Sequence, residues 1–137
     1  MLKLKEYKLL PVTVPEKELY HLFCEAISNF ENGRVDKGNF FEILVELTDR
    51  QGYTYEILKE PLKSELDNLV CSLWNTESYV DVDILLVIIL SLGLVKSFNQ
   101  VKESIADRTD IDGQILLEIQ EAISEAEENI ANPYHDY

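Results

Sequence analysis

The run from Ile84 to Val95 constrains the fold more than any other segment: it is apolar except at Ser91 and Gly93, and it follows Asp81 and Asp83. A bilayer span takes about 20 apolar residues, so the run is too short to cross a membrane. It shows no apolar–polar alternation and has no flanking strand-like partners, which removes a β reading. What remains is a helix apolar on nearly every side, and such a helix is stable only at the centre of other helices. The rest of the chain must supply them.

It has the residues to do so. Behind Pro15, the residues Leu19, Leu22, Phe23, Ala26, Ile27 and Phe30 recur at the spacing of one helix face, and Asn32-Gly33 stops the pattern with a pair able to take positive φ. Asp36 can cap a second helix with Phe40, Phe41, Leu44, Val45 and Leu47 inward and Gly52 at its end, which completes an αα-hairpin. Thr54 can cap a short turn through Leu58, and Pro61 marks a break near Glu60 ahead of Leu62, Leu66, Leu69, Val70, Leu73 and Trp74. Residues 75–78 read as a turn, Asp81 or Asp83 as the cap of the central helix, and Gly93 as its end. Ser97 can cap a short helix carrying Phe98, Val101 and Ile105. Asp110 or Asp112 can cap the last one, with Ile115, Leu116, Ile119, Ala122, Ile123, Ala126 and Ile130 inward until Asn132-Pro133.

Residues 1–14 alternate loosely and suit an extended N-terminal arm, and 132–137 suit a loose tail. The expected architecture is one all-α domain over residues 1–137, with six to seven helices in consecutive antiparallel hairpins. That is the logic of a helical bundle or a short HEAT-like α-solenoid, although no repeat of fixed period stands out.

With 137 residues, 46% of them hydrophobic, the chain can bury roughly two-thirds of its unfolded surface without disulfides or metals. Cys24 and Cys71 sit in apolar-periodic contexts, where free thiols act as small core residues. The N-terminal residues lack the apolar core and cleavage site of a signal peptide, so a cytoplasmic protein is expected.

Catalytic and cofactor chemistry finds no foothold. Arg108-Thr109-Asp110-Ile111-Asp112-Gly113 echoes a calcium loop, but with Gly113 sixth the first ligand would be Arg108 and the twelfth Ile119. His21 and Cys24 share a helix face, yet two ligands make no zinc site. There is no nucleophile elbow, phosphate loop or dinucleotide fingerprint. The expectation is a protein that is no enzyme and holds no metal or cofactor.

Charge is what rises above background. Twenty-six Asp+Glu against 12 Lys+Arg give a net charge of -14, which argues against binding nucleic acid or anionic lipid and for a basic partner. Residues 1–70 hold 9 Lys+Arg and 13 Asp+Glu, while residues 71–137 hold 3 and 13, so the excess is C-terminal. At about 100° per residue, Glu118, Glu121, Glu125 and Glu128 form one stripe opposite the Ile115, Ile119, Ile123 and Ala126 face. That stripe has no i,i+4 cation to relieve it. A solvated face that keeps the protein soluble explains it, and so does a surface shaped for a cationic partner. Tyr53, Tyr55, Tyr79, Tyr134 and Tyr137 fall in turns or the tail, where Tyr serves either as a contact residue or as cover for hairpin ends.

The stretch from Trp74 through Asn75, Thr76, Glu77, Ser78, Tyr79, Val80, Asp81, Val82 and Asp83 to Leu90 is a turn with acids feeding a hydrophobic helix. Together with the hairpins and the acidic skew, it resembles the small acidic all-α immunity proteins that bacteria encode beside polymorphic or contact-dependent toxins. The resemblance implies stoichiometric blocking of a cognate toxin, often a cationic nuclease, by covering its active site or a neighbouring surface. The expected contact residues are Asp107, Asp110, Asp112, Glu118, Glu121, Glu125 and Glu128, with Tyr79 and Tyr134 as anchors. The competing expectation is an adaptor, a helical scaffold whose apolar groove takes a partner peptide or a second copy.

Overall fold

A computed structural model of the chain describes residues 3–106, 108, 110–127 and 129–130. Among them lie seven helices and no strand: α1 (Leu4–Lys8), α2 (Glu16–Glu31), α3 (Lys37–Gly52), α4 (Leu62–Leu73), α5 (Tyr79–Leu92), α6 (Val95–Ile105) and α7 (Gly113–Ala126). The fold is all-α, as the sequence pattern predicts.

Several helix ends are written in the adjacent residues. The Asp36 carboxylate accepts the Asn39 N–H at 2.7 Å to start α3, and Asp112 accepts those of Gln114 and Ile115 at 2.9 and 3.4 Å to start α7. Gly33 takes φ +74° beyond α2, and Gly93 takes φ +66° beyond α5, where the Leu94 N–H closes onto the Ile89 carbonyl at 3.0 Å.

Other ends differ from expectation. Helix α5 starts behind Ser78, whose hydroxyl accepts the Asp81 N–H at 3.3 Å, so neither Asp81 nor Asp83 caps it. Asp81 then stands in the first turn, where its charge favours the helix dipole. Ser97 does not cap α6 either. The helix begins at Val95 behind Leu94, which has no polar side chain to offer. Asp67 of α4 reaches over instead, accepting the N–H groups of Lys96 and Ser97 at 3.0 and 2.7 Å and the Ser97 hydroxyl at 2.6 Å. At Thr54 a short turn forms, as expected: its hydroxyl donates to the Gln51 carbonyl at 2.7 Å and accepts the Glu56 N–H at 3.1 Å, and the turn carries Tyr55 at φ +54°. Helix α7 ends at Ala126, short of the expected Asn132-Pro133 stop, and the expected tail lies outside the described residues.

In place of the extended arm, residues 4–8 form α1, which docks on α3 and buries Tyr7 to 1% exposure. Burial holds the Tyr7 hydroxyl up at about 12, with the charges of Glu25 and Glu6 adding to it.

The helices stack in two rows. Helices α1, α3, α5 and α7 pack in that order in one row, and α2, α4 and α6 in the other. The chain alternates between rows, so each helix meets its next-but-one neighbour within its own row. Consecutive helices meet across the rows at α2–α3 and along α4–α5–α6–α7. This is the geometry of a short α-solenoid. Its core runs between the rows through Phe23, Phe40, Phe41, Leu44, Leu66, Leu85 and Phe98, and Phe30 stacks on Phe40 with ring centroids 4.3 Å apart. No helix is long and apolar enough to cross a membrane among the described residues.

Candidate functional site on the outer face of the first row

Helix α5 touches α3 and α7 beside it and α4 and α6 behind it. A two-row stack has no third layer, so one face of the most apolar helix stays open, against the expectation that it is enclosed. Helical spacing puts Val80, Ile84 and Val87 on that face with Asp83 at its edge. Val80 is 64% exposed and Val87 45%, while Ile84 and Leu90 are half-buried.

Carboxylates flank this apolar strip. On the α7 side the Tyr79 hydroxyl donates to Glu118 Oε2 at 3.1 Å. The carboxyl of Glu118 also lies against that of Asp83. The Asp83 contact thereby pushes Glu118 above the usual carboxylate range, with the charges of Asp83 and Glu121 adding to it and the Tyr79 bond opposing. Tyr79 is itself pushed up, first by its bond to Glu118 and then by that charge. Among the described residues no cation lies within ion-pair distance of Asp83, Glu118, Glu121 or Glu125. On the α3 side Glu42 and Asp49 are exposed two turns apart. Burial and then the nearby Glu46 push Asp49 up, with Arg50 opposing. The seam between α3 and α5 is held by an ion pair, Lys37 to Asp81 at 2.8 Å.

The sequence-predicted contact residues divide into groups. Tyr79 and Glu118 meet directly, Glu121 is near enough to act on both, and Glu125 continues the same side of α7. Tyr79 is the first residue of α5 and not part of a turn, and Glu118 leans across to α5 instead of standing opposite the core. Asp112 is engaged as the α7 cap. Asp110 holds Arg108 through two bonds of 3.0 Å, which keep the Asp110 carboxyl below its usual range. Arg108 in turn donates to Thr76 at 3.3 Å, tying this connection to the α4–α5 turn. Asp107, Glu128 and Tyr134 lie outside the described residues.

Sequence reasoning missed Asp83, Val80 and Val87 as members of the face. Asp83 carried one signal, a charge at the edge of the apolar run.

For metal or covalent chemistry the geometry offers little. No cluster of three or more His, Cys, Asp or Glu able to hold a metal occurs among the described residues. His21 is exposed with its ring edge-on to Tyr20, and Cys24 and Cys71 are free thiols only half-buried, not the core residues expected. No protein-family model, curated protein or solved structure matches the chain.

Proposed function

We propose that this chain is a non-enzymatic, cytoplasmic inhibitor that binds one basic protein on the outer face of α5 and α7, in the manner of the bacterial immunity proteins it resembles. The partner would be a cationic toxin domain whose active or functional surface is covered. The observation that carries the reading is the Tyr79–Glu118–Asp83 contact: the carboxyl groups of Glu118 and Asp83 crowd one another, no cation among the described residues pairs with them, and an exposed apolar strip lies alongside. Uncompensated repulsion of this kind is relieved when a cationic surface docks, and the apolar strip supplies the desolvated centre of such an interface.

The test is capture of the tagged chain with the protein of the adjacent reading frame co-expressed, at low and at high salt. A basic protein retained near 1:1 and weakened by salt supports the inhibitor, and the combined change of Glu118, Glu121 and Glu125 to Lys then slows association far more than it alters folding. Unchanged association after that substitution removes the α7 carboxylates from the interface. The exposure of Val80 and Val87 also suits the adaptor reading, in which the strip takes an apolar partner and the acids only keep the protein soluble; binding insensitive to salt would favour it.

A further inference from the structure

The other end of the first row has the opposite charge. Lys3, Lys5, Lys8 and Arg34 surround a cleft of about 580 Å³ between α1 and the start of α3, floored by Leu4, Val35 and Ile43. The chain has only 12 Lys+Arg against 26 Asp+Glu, yet four of the cations converge here. None of the four is within ion-pair distance of a carboxylate among the described residues, whereas Lys37, Arg50, Lys59, Lys102 and Arg108 are each paired. The one acid in the lining, Asp36, has its carboxylate engaged by the Asn39 N–H at 2.7 Å.

We infer that this cleft binds a soluble anion carrying at least two phosphate groups. Gathering four like charges is unfavourable until a counter-charge of similar size arrives, and a diphosphate supplies one. Lys5 and Lys8 stand one turn apart on α1, and Arg34 sits at the α2–α3 turn. With Lys3, three point charges and a planar fork of donors therefore line one cavity, a combination suited to adjacent phosphate groups. The volume lies within the range of small-ligand sites, about 300–1,000 Å³. No aromatic ring lines the cleft, so recognition rests on charge and not on stacking against a base. The net charge of -14 repels an anionic bilayer, which leaves a dissolved ligand and not a lipid headgroup. The site shares no residue with the α5–α7 face and stands or falls independently of it.

Calorimetric titration of the full chain with inorganic pyrophosphate at low salt tests this. Saturable 1:1 binding is expected, with inorganic orthophosphate at least about tenfold weaker. The double variant Lys5→Ala/Lys8→Ala and the single variant Arg34→Ala should each lose about tenfold or more in affinity while keeping the parent far-UV helix signal. Lys59→Ala/Lys63→Ala, which removes two cations elsewhere, should bind as the parent does. Heats that never saturate, equal affinity for both anions, or an equal loss in the Lys59/Lys63 variant would overturn the assignment.

Discussion

Arg50 is the one charged residue classed with the interior among the described residues, at 8% exposure. Its guanidinium donates to the carbonyls of Leu10 at 2.8 Å, Pro11 at 3.2 Å and Lys8 at 3.5 Å, and to Glu46 at 2.8 Å. The carbonyls at and beyond the end of α1 have no helical donors ahead of them, so a side chain 40 residues on stands in for the missing turn. Arg50→Met should strand those acceptors and the Glu46 charge, costing about 2–4 kcal/mol by urea unfolding. Arg50→Lys should recover little of it, because a single ammonium cannot span the set.

The Tyr7 hydroxyl, buried in the same region, has no hydrogen-bond partner among the described residues. Tyr7→Phe should therefore leave stability unchanged or raise it by up to about 1 kcal/mol, and a clear loss would reveal a partner for the hydroxyl. Glu118 makes a pH prediction. Its folded pKa lies above the unfolded one, so the folded state holds the proton more tightly, and stability falls as pH rises from the ordinary carboxylate range through the raised value. Glu118→Gln keeps an acceptor for Tyr79 and removes the charge. It should melt higher than the parent at neutral pH, with the difference vanishing below about pH 4. A difference that does not change with pH would mean that Glu118 is not raised by its neighbours.

At the scale of the helices, Asp67 joins α4 to α6 by doing what Leu94 cannot. Asp67→Ala should cost about 1–2 kcal/mol and speed hydrogen exchange at Lys96 and Ser97 ahead of the rest of α6; uniform protection along α6 would show that another group caps it. This cap was illegible in the sequence because it comes from about 30 positions upstream, and local pattern reading sees only what lies within a few residues. The caps at Asp36 and Asp112 were legible for the converse reason. For the start of α5 the pattern pointed to Asp81 or Asp83 and read Ser78 only as part of the turn, although all three lie within six residues and are competent caps; only the geometry separates them. Helix α1 was missed because five residues carry too little periodicity, and its place depends on Tyr7 and Arg50, contacts made with distant parts of the chain. Of the candidate face, the α7 carboxylates could be read as uncompensated charge. Val80 and Val87 could not, since a helix apolar all round does not reveal which side lacks a neighbour.

Across the whole molecule the first row carries a charge gradient, from the lysines of α1 to the carboxylates of α5 and α7, with the apolar strip of α5 near the acidic end. Acids beside an apolar strip separate two contributions to binding. The carboxylates act at a distance, so they set how fast a basic protein arrives and how steeply that rate falls with salt. The strip acts only on contact, so it sets how long the complex lasts. For the proposed inhibitor, Val80→Ser with Val87→Ser should raise the dissociation rate about tenfold or more and leave the association rate and its salt dependence near the parent's. Both side chains are already exposed, at 64% and 45%, so the fold should be little disturbed; the stability change should stay within about 0.5 kcal/mol. The Glu118, Glu121 and Glu125 to Lys variant should show the opposite kinetic signature. Surface plasmon resonance over a range of salt distinguishes the two, and identical kinetics for both variants would mean that the partner docks elsewhere on the molecule.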